Sequence, residues 1–223
     1  MTTSPLPPFT LAGSLDRTAV GRAGDLLVEL VSRPEVAAHW DQESSCAGMS
    51  VGALTWHLVN QPQRVLQALA GPPSDDEPTT LDAYYAEAAW LNEDLDGPAN
   101  VLVRERGAQQ AEEGPDAAVA AARAARAALD EALRGARATV VVPWTGRTLA
   151  IEDFLVTRLT EIVVHSDDLA ASLDGVEAPA FPAEVLTPVL ALLTELALRR
   201  HGQDALVRAL TRPQRAPETI SAF

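Results

Sequence analysis

A chain of 223 residues, 47% of them hydrophobic, is long enough to bury one core, or one core with an appendage. A net charge of −14 and a pI of about 4.6 argue against nucleic acid and anionic membrane surfaces as partners. All basic residues are Arg, which excludes lysine Schiff-base chemistry and, with the many Ala residues, suggests a GC-rich genome. Cys46 is the only cysteine, so there is neither an internal disulfide nor a cysteine-based zinc cluster, and its expected role is inert packing. A thiol reaction would take its thiol from a cosubstrate. No apolar run reaches the roughly 18 residues of a membrane span. The start MTTSPLPPFTLAG lacks the basic and apolar parts of a signal peptide, so the expected location is cytoplasmic.

The first amphipathic stretch runs from Leu11 to Ser32, with Leu15, Ala19, Ala23, Leu26, Leu27, Leu30 and Val31 at helical spacing. Pro34 ends it or opens a short continuation to Trp40. Asp41 to Met49 is a polar connection. Ser50 then caps a helix closed by Gly71, whose core face is Val51, Leu54, Leu58, Val65 and Leu69. His57 and Gln61 lie one turn apart at the edge of that face. Pro62 clashes with the Leu58 carbonyl and predicts a kink there, one residue past His57.

After the loop GPPSDDEP, Thr80 to Leu95 reads as a third helix, with Tyr84, Ala88, Leu91 and Leu95 inward. Asn100 to Gly114 is ambiguous. Pro115 to Gly135 is a strong Ala-rich helix whose Arg residues suit a solvated face. Thr139 to Val142 reads as a short extended segment, followed by a turn at Pro143, Trp144 and Gly146. Beyond Gly175 a Pro-containing linker leads to a helix over Ala183–Arg200, with Leu186, Val189, Leu190, Leu193 and Leu196 inward. A last helix covers Gln203–Thr211, and the apolar end of the tail is expected to dock on the body.

The most informative stretch is Thr148 to Asp174, one amphipathic helix with Thr148 as its cap and Glu152 and Asp153 in its first turn. At about 100° per residue, Arg158, Glu161, His165 and Asp168 fall at or inside the apolar face. Asp153, Thr160 and Asp167 point away. Burying such groups unpaired costs several kcal/mol each, so their placement needs a use. A Glu and a His at i and i+4 have Cβ atoms roughly 6 Å apart and can reach one cation. The alternative is an Arg158–Glu161 ion pair beside a hydrogen-bonded His165. His57, on the preceding amphipathic helix, is the natural third ligand for a zinc site with an open position. His39, His201 and Asp168 are the candidates for a fourth.

The segments GMSVGALTWHL and RLTEIVVHSDDLAASL carry a family resemblance. They resemble the DinB/YfiT-like metal-binding bundles, in the actinobacterial branch that includes mycothiol-dependent maleylpyruvate isomerase. The likeness extends from about Leu11 to Gly175, and the ending RALTRPQRAPETISAF is similar as well. The resemblance implies an all-α, up-down-down-up four-helix bundle over residues 1–175, with residues 176–223 as a helical C-terminal extension. It implies His57, Glu161 and His165 as ligands of a divalent metal, zinc first, with Arg158, Asp168 and Gln61 supporting them. It further implies mycothiol as thiol cosubstrate and an isomerase or S-transferase acting on a small electrophile. A non-enzymatic metal-binding bundle and a metal-dependent hydrolase are the rival functions. A homodimer is allowed and not required. The family's isomerase also carries a C-terminal α/β domain that supplies an arginine. Here that region reads as helices, and none of Arg199, Arg200, Arg208, Arg212 and Arg215 maps onto that arginine.

Overall fold

The structure, a computed structural model, describes residues 6–94 and 96–223, with the side chain of Asn92 excepted. In chain order the elements are α1 (Ala19–Val31), the short α2 (Pro34–Ala38), α3 (Val51–Ala70), α4 (Leu81–Ala86) and α5 (Ala89–Asn92). Then follow α6 (Pro98–Ala111), α7 (Pro115–Arg134), the strands β1 (Thr139–Val141) and β2 (Thr148–Ala150), α8 (Ile151–Ala171) and α9 (Ala183–Thr211). A 3-10 turn at Pro213–Arg215 leads into the tail.

α1, α3, α7 and α8 form the bundle, with α1 and α3 each packed between α7 and α8. Cross-contacts fix the directions. Asp25 meets Arg126 and Ser32 meets Arg123, so α1 and α7 run oppositely. Arg17, just before α1, pairs with Glu152 in the first turn of α8, so these two run together. His57 faces Glu161 and Gln61 faces Arg158, so α3 opposes α8. Arg137, just past α7, donates to the Leu69 and Gly71 carbonyls at the end of α3. The order is therefore up-down-down-up. The core is built of fully buried Leu27, Leu54, Leu58, Leu129, Phe154, Leu155 and Leu159. α7 contributes small residues, Ala118, Ala122 and Ala125, which let the backbones approach closely. At the start of α3, a Cβ on Gly52 would lie 2.6 Å from the Trp40 ring, so only glycine fits there.

α9 packs on α8 and α1. Gly202, at φ +81°, breaks it in two, as the sequence suggests for Arg200 and Gln203. The tail docks: Phe223 stacks on Tyr85 at 6.0 Å and meets Trp90 edge-on at 5.2 Å. Among the described residues no helix is long and apolar enough to cross a membrane.

Several boundaries differ from expectation. The first helix begins at Ala19, not Leu11. Asp16 accepts both the backbone N–H and the hydroxyl of Thr18, a local turn that competes with helix. Asp153 holds the Thr10 hydroxyl and the Leu11 N–H, so it is buried instead of pointing away. Thr160 is buried as well, because α8 has neighbours on nearly every side. Thr148 is not a cap but the first residue of β2, paired with Val141, and its hydroxyl donates to Ser74. The third helix splits into α4 and α5 at extended Ala88, beside the Glu87–Arg147 ion pair. Leu95 lies outside the described residues. The ambiguous stretch is the well-formed α6, and Leu190 faces outward. α3 stays continuous through Pro62.

Candidate metal centre

α3 and α8 lie antiparallel and present three polar side chains to one another. His57 Nε2 is 3.0 Å from Glu161 Oε2, and His165 Nε2 is 3.6 Å from the same oxygen. The two imidazoles meet edge to face, with ring centres 4.7 Å apart. One donor atom from each of His57, Glu161 and His165 can be chosen so that all lie within 4.8 Å of one another. The side chains keep 12%, 19% and 24% of their exposure respectively, so the cluster can be reached from solvent.

Asp168 defines the ring state of His165. Its Oδ2 is 2.8 Å from His165 Nδ1. An ionised carboxylate can only accept, so Nδ1 carries the proton and Nε2 is the nitrogen turned toward Glu161. Burial opposes a charge on His165, but hydrogen bonds with Asp168, Cys46 and Glu161 outweigh it and raise its pKa well above 6.5. Burial likewise opposes charge on Glu161, yet the two histidines and the nearby Arg158 hold it well below 4.5. The His165 hydrogen bond lowers Asp168. Burial lowers His57, which favours the neutral imidazole that a metal requires.

Arg158 is buried and does not pair with Glu161. Its Nη1 donates to Gln61 Oε1 at 2.7 Å and its Nε to Thr157 Oγ1 at 3.0 Å. Gln61 in turn donates to the His57 carbonyl at 2.9 Å. Arg158 thus braces α3 against α8 through Gln61 and acts on Glu161 only through its charge. The guanidinium carbons of Arg158 and Arg64 each lie 5.1 Å from the Trp144 ring centre.

The donors fit a small divalent cation. Two imidazole nitrogens and a carboxylate oxygen suit zinc, whose bonds of about 2.0 to 2.1 Å put tetrahedral donors roughly 3.4 Å apart. The separations of 3.0 and 3.6 Å from Glu161 straddle that spacing. Of the candidate fourth ligands, His39 is hydrogen-bonded to the Glu35 carbonyl and His201 to the Ser221 carbonyl. Neither joins the donor group, and Asp168 is engaged by His165.

Two neighbours were not expected. Cys46 packs against the core as expected, and its sulfur also lies in a second close group with His165 and Asp168. The loop that carries it is tied to α8 by Ser45, whose hydroxyl donates to the Asp168 carbonyl and whose N–H donates to Ser172 Oγ. No local sequence signal announces that contact. Arg64 did leave a signal, since His57, Gln61 and Arg64 at i, i+4 and i+7 share one helix face.

No curated protein and no solved structure matches the chain. A family model, the mycothiol maleylpyruvate isomerase N-terminal domain, matches residues 20–170, which carry all three donors. The chain belongs to that DinB-like family, which is linked to mycothiol and to metal binding.

Proposed function

We propose that the protein is a zinc-dependent enzyme that uses a low-molecular-weight thiol, mycothiol by family, to isomerise a small electrophile or transfer sulfur to it. The observation that carries this reading is the convergence of His57, Glu161 and His165 within 4.8 Å, with the His165 ring set by Asp168. When bound, the cation would supply the positive charge that makes a thiol a thiolate near neutral pH.

The chain's own residues divide the remaining work. His57 and Glu161 face each other across two helices, so the site exists only in the folded bundle. Asp168 keeps the Nδ1 proton of His165 in place and leaves Nε2 free to ligate. Arg158 and Gln61 fix the spacing of the two helices at the site. The thiolate would add to a carbon of a C=C bond conjugated to a carbonyl, the C–S bond replacing the π bond, whose electron pair moves onto the conjugated oxygen. Expulsion of the thiolate after rotation about the resulting single bond restores the double bond and completes an isomerisation, whereas protonation of the adjacent carbon from solvent keeps the thioether and completes a transfer. A structural site closed by a fourth protein ligand, and hydrolysis by a bound water with a separate general base, have no comparable observation in their favour.

Cobalt-substituted protein titrated with a small thiol tests the reading. The expected result is a saturable thiolate-to-cobalt charge-transfer band. A stoichiometric cobalt site that never develops the band would overturn the thiol assignment.

A further inference from the structure

His165 belongs to two donor groups at once. Its Nε2 lies 3.6 Å from Glu161 Oε2, which also meets His57. Its Nδ1 lies 2.8 Å from Asp168 Oδ2. The Cys46 sulfur joins the Asp168 side, where it hydrogen-bonds to both Asp168 and His165. One donor atom from each of Cys46, His165 and Asp168 lies within 4.8 Å of the other two. The loop holds the sulfur in place. Ser45 ties it to α8 at two points, the Cys46 N–H donates to Ser44 Oγ at 3.2 Å, and the Cys46 carbonyl accepts from the Met49 N–H at 3.0 Å. Cys46 is half-buried, and the side chains of His165 and Asp168 keep 24% and 30% of their exposure, so an ion can enter from solvent.

The two groups differ in chemistry. His57, Glu161 and His165 offer nitrogen and oxygen, whereas the Cys46 group adds sulfur, which selects softer cations. A divalent ion there would displace the thiol proton to solvent, and the thiolate with the Asp168 carboxylate would balance its charge. The ring sets a second condition. A neutral imidazole carries one proton and one lone pair. Ligation through Nδ1 therefore moves the proton to Nε2, where the Glu161 carboxylate is the acceptor. His165 is then lost to the first group, so the ring serves one ion at a time.

We propose that Cys46, His165 Nδ1 and Asp168 form a second cation seat, selective for a thiophilic divalent ion such as cadmium, whose occupation excludes the ion held by His57, Glu161 and His165. The seat stands on its own three donors. Only the exclusion rests on the metal-centre reading.

The test is titration of cadmium into metal-free and zinc-loaded protein, without thiol reductant, followed by the ultraviolet sulfur-to-cadmium charge-transfer band and by a zinc indicator. Metal-free protein should develop a saturable band at one cadmium per chain. Cys46→Ser should lose the band and keep its zinc affinity and helicity. His165→Gln and Asp168→Asn should each weaken the band's midpoint by more than about tenfold, the lower end for losing even a partner behind a ligand. Absence of the band in the parent would overturn the seat. So would an unchanged midpoint in both His165→Gln and Asp168→Asn, the behaviour of a cysteine that binds alone. If one variant does not fold, the other two decide. In zinc-loaded protein the band should grow as zinc is released one for one, and Cys46→Ser should hold its zinc against the same cadmium. A full band with zinc retained would overturn the exclusion. Protein that takes up no zinc removes the metal-centre reading instead, and the metal-free titration still decides the seat.

Discussion

His165 and Asp168, three residues apart on α8, share a hydrogen bond of 2.8 Å between Nδ1 and Oδ2, and this bond decides which nitrogen of His165 faces Glu161. A ring free to take either tautomer would offer its Nε2 lone pair to a bound cation only part of the time. Asp168→Ala is therefore expected to lower metal affinity about 10- to 100-fold, the usual cost of losing a partner behind a ligating histidine. Competition against a chelator of known affinity measures it. Unchanged affinity would show that Asp168 has no part in orienting the ring.

The same pair makes the metal-free protein sensitive to alkali. The His165 pKa is raised above 6.5 in the fold, so its contribution to stability is complete below 6.5 and is lost as pH rises through the raised value. Glu161, lowered from 4.5, contributes above 4.5 and loses that contribution as pH falls through its lowered value. His57, lowered by burial, also costs stability on the acid side as it takes up a proton. Metal-free protein should thus lose thermal stability as pH rises above 6.5, and His165→Gln should flatten that limb. Metal-loaded protein should show no such decline, since the cation has replaced the proton. A metal-free melting temperature that does not change across this range would contradict the charged state of His165.

Gly52 and Trp40 set the entry to α3. A methyl at Gly52 must displace the Trp40 ring, whose Nε1 donates to the Ala111 carbonyl at 2.9 Å. Gly52→Ala is expected to cost about 1 to 3 kcal/mol, the range for overpacking a filled core. Urea unfolding followed by circular dichroism reads the change, and a neutral result would mean that α2 and α6 yield freely.

Phe223 closes the aromatic contact with Tyr85 and Trp90. Replacing it with Ala should destabilise by about 0.5 to 1.5 kcal/mol beyond the lost burial, as for other aromatic pairs. Metal binding should not change, because the ring contacts of Phe223 go to Tyr85 and Trp90 and not to the donor group. Altered metal affinity would connect the tail to the site.

The long helices were legible because each repeats its apolar residues over several turns and carries its own stop and start signals, such as Ser50 and Pro115. The Glu161–His165 spacing was legible for the same reason, since i and i+4 are neighbours on any helix. What escaped is long-range. Thr148 looks like a cap until Val141 pairs with it seven residues upstream. Asp153 looks exposed until the Thr10–Leu11 segment, more than 140 positions away, folds back onto it. α6 shows no clean apolar stripe because it buries mainly Gly107 against Ala53 and Met49, a contact made by an absent side chain. Cys46 reaches His165 through a loop with no periodicity.

Metal content of protein purified without chelator or affinity-tag nickel, alongside His57→Ala and His165→Ala, tests the central claim most directly. The expected result is one divalent ion per chain, lost in both variants while helicity is kept. Stoichiometric metal retained in either variant, or no metal in the parent, would contradict the proposed site and return Glu161 to a hydrogen-bonded partner of two histidines.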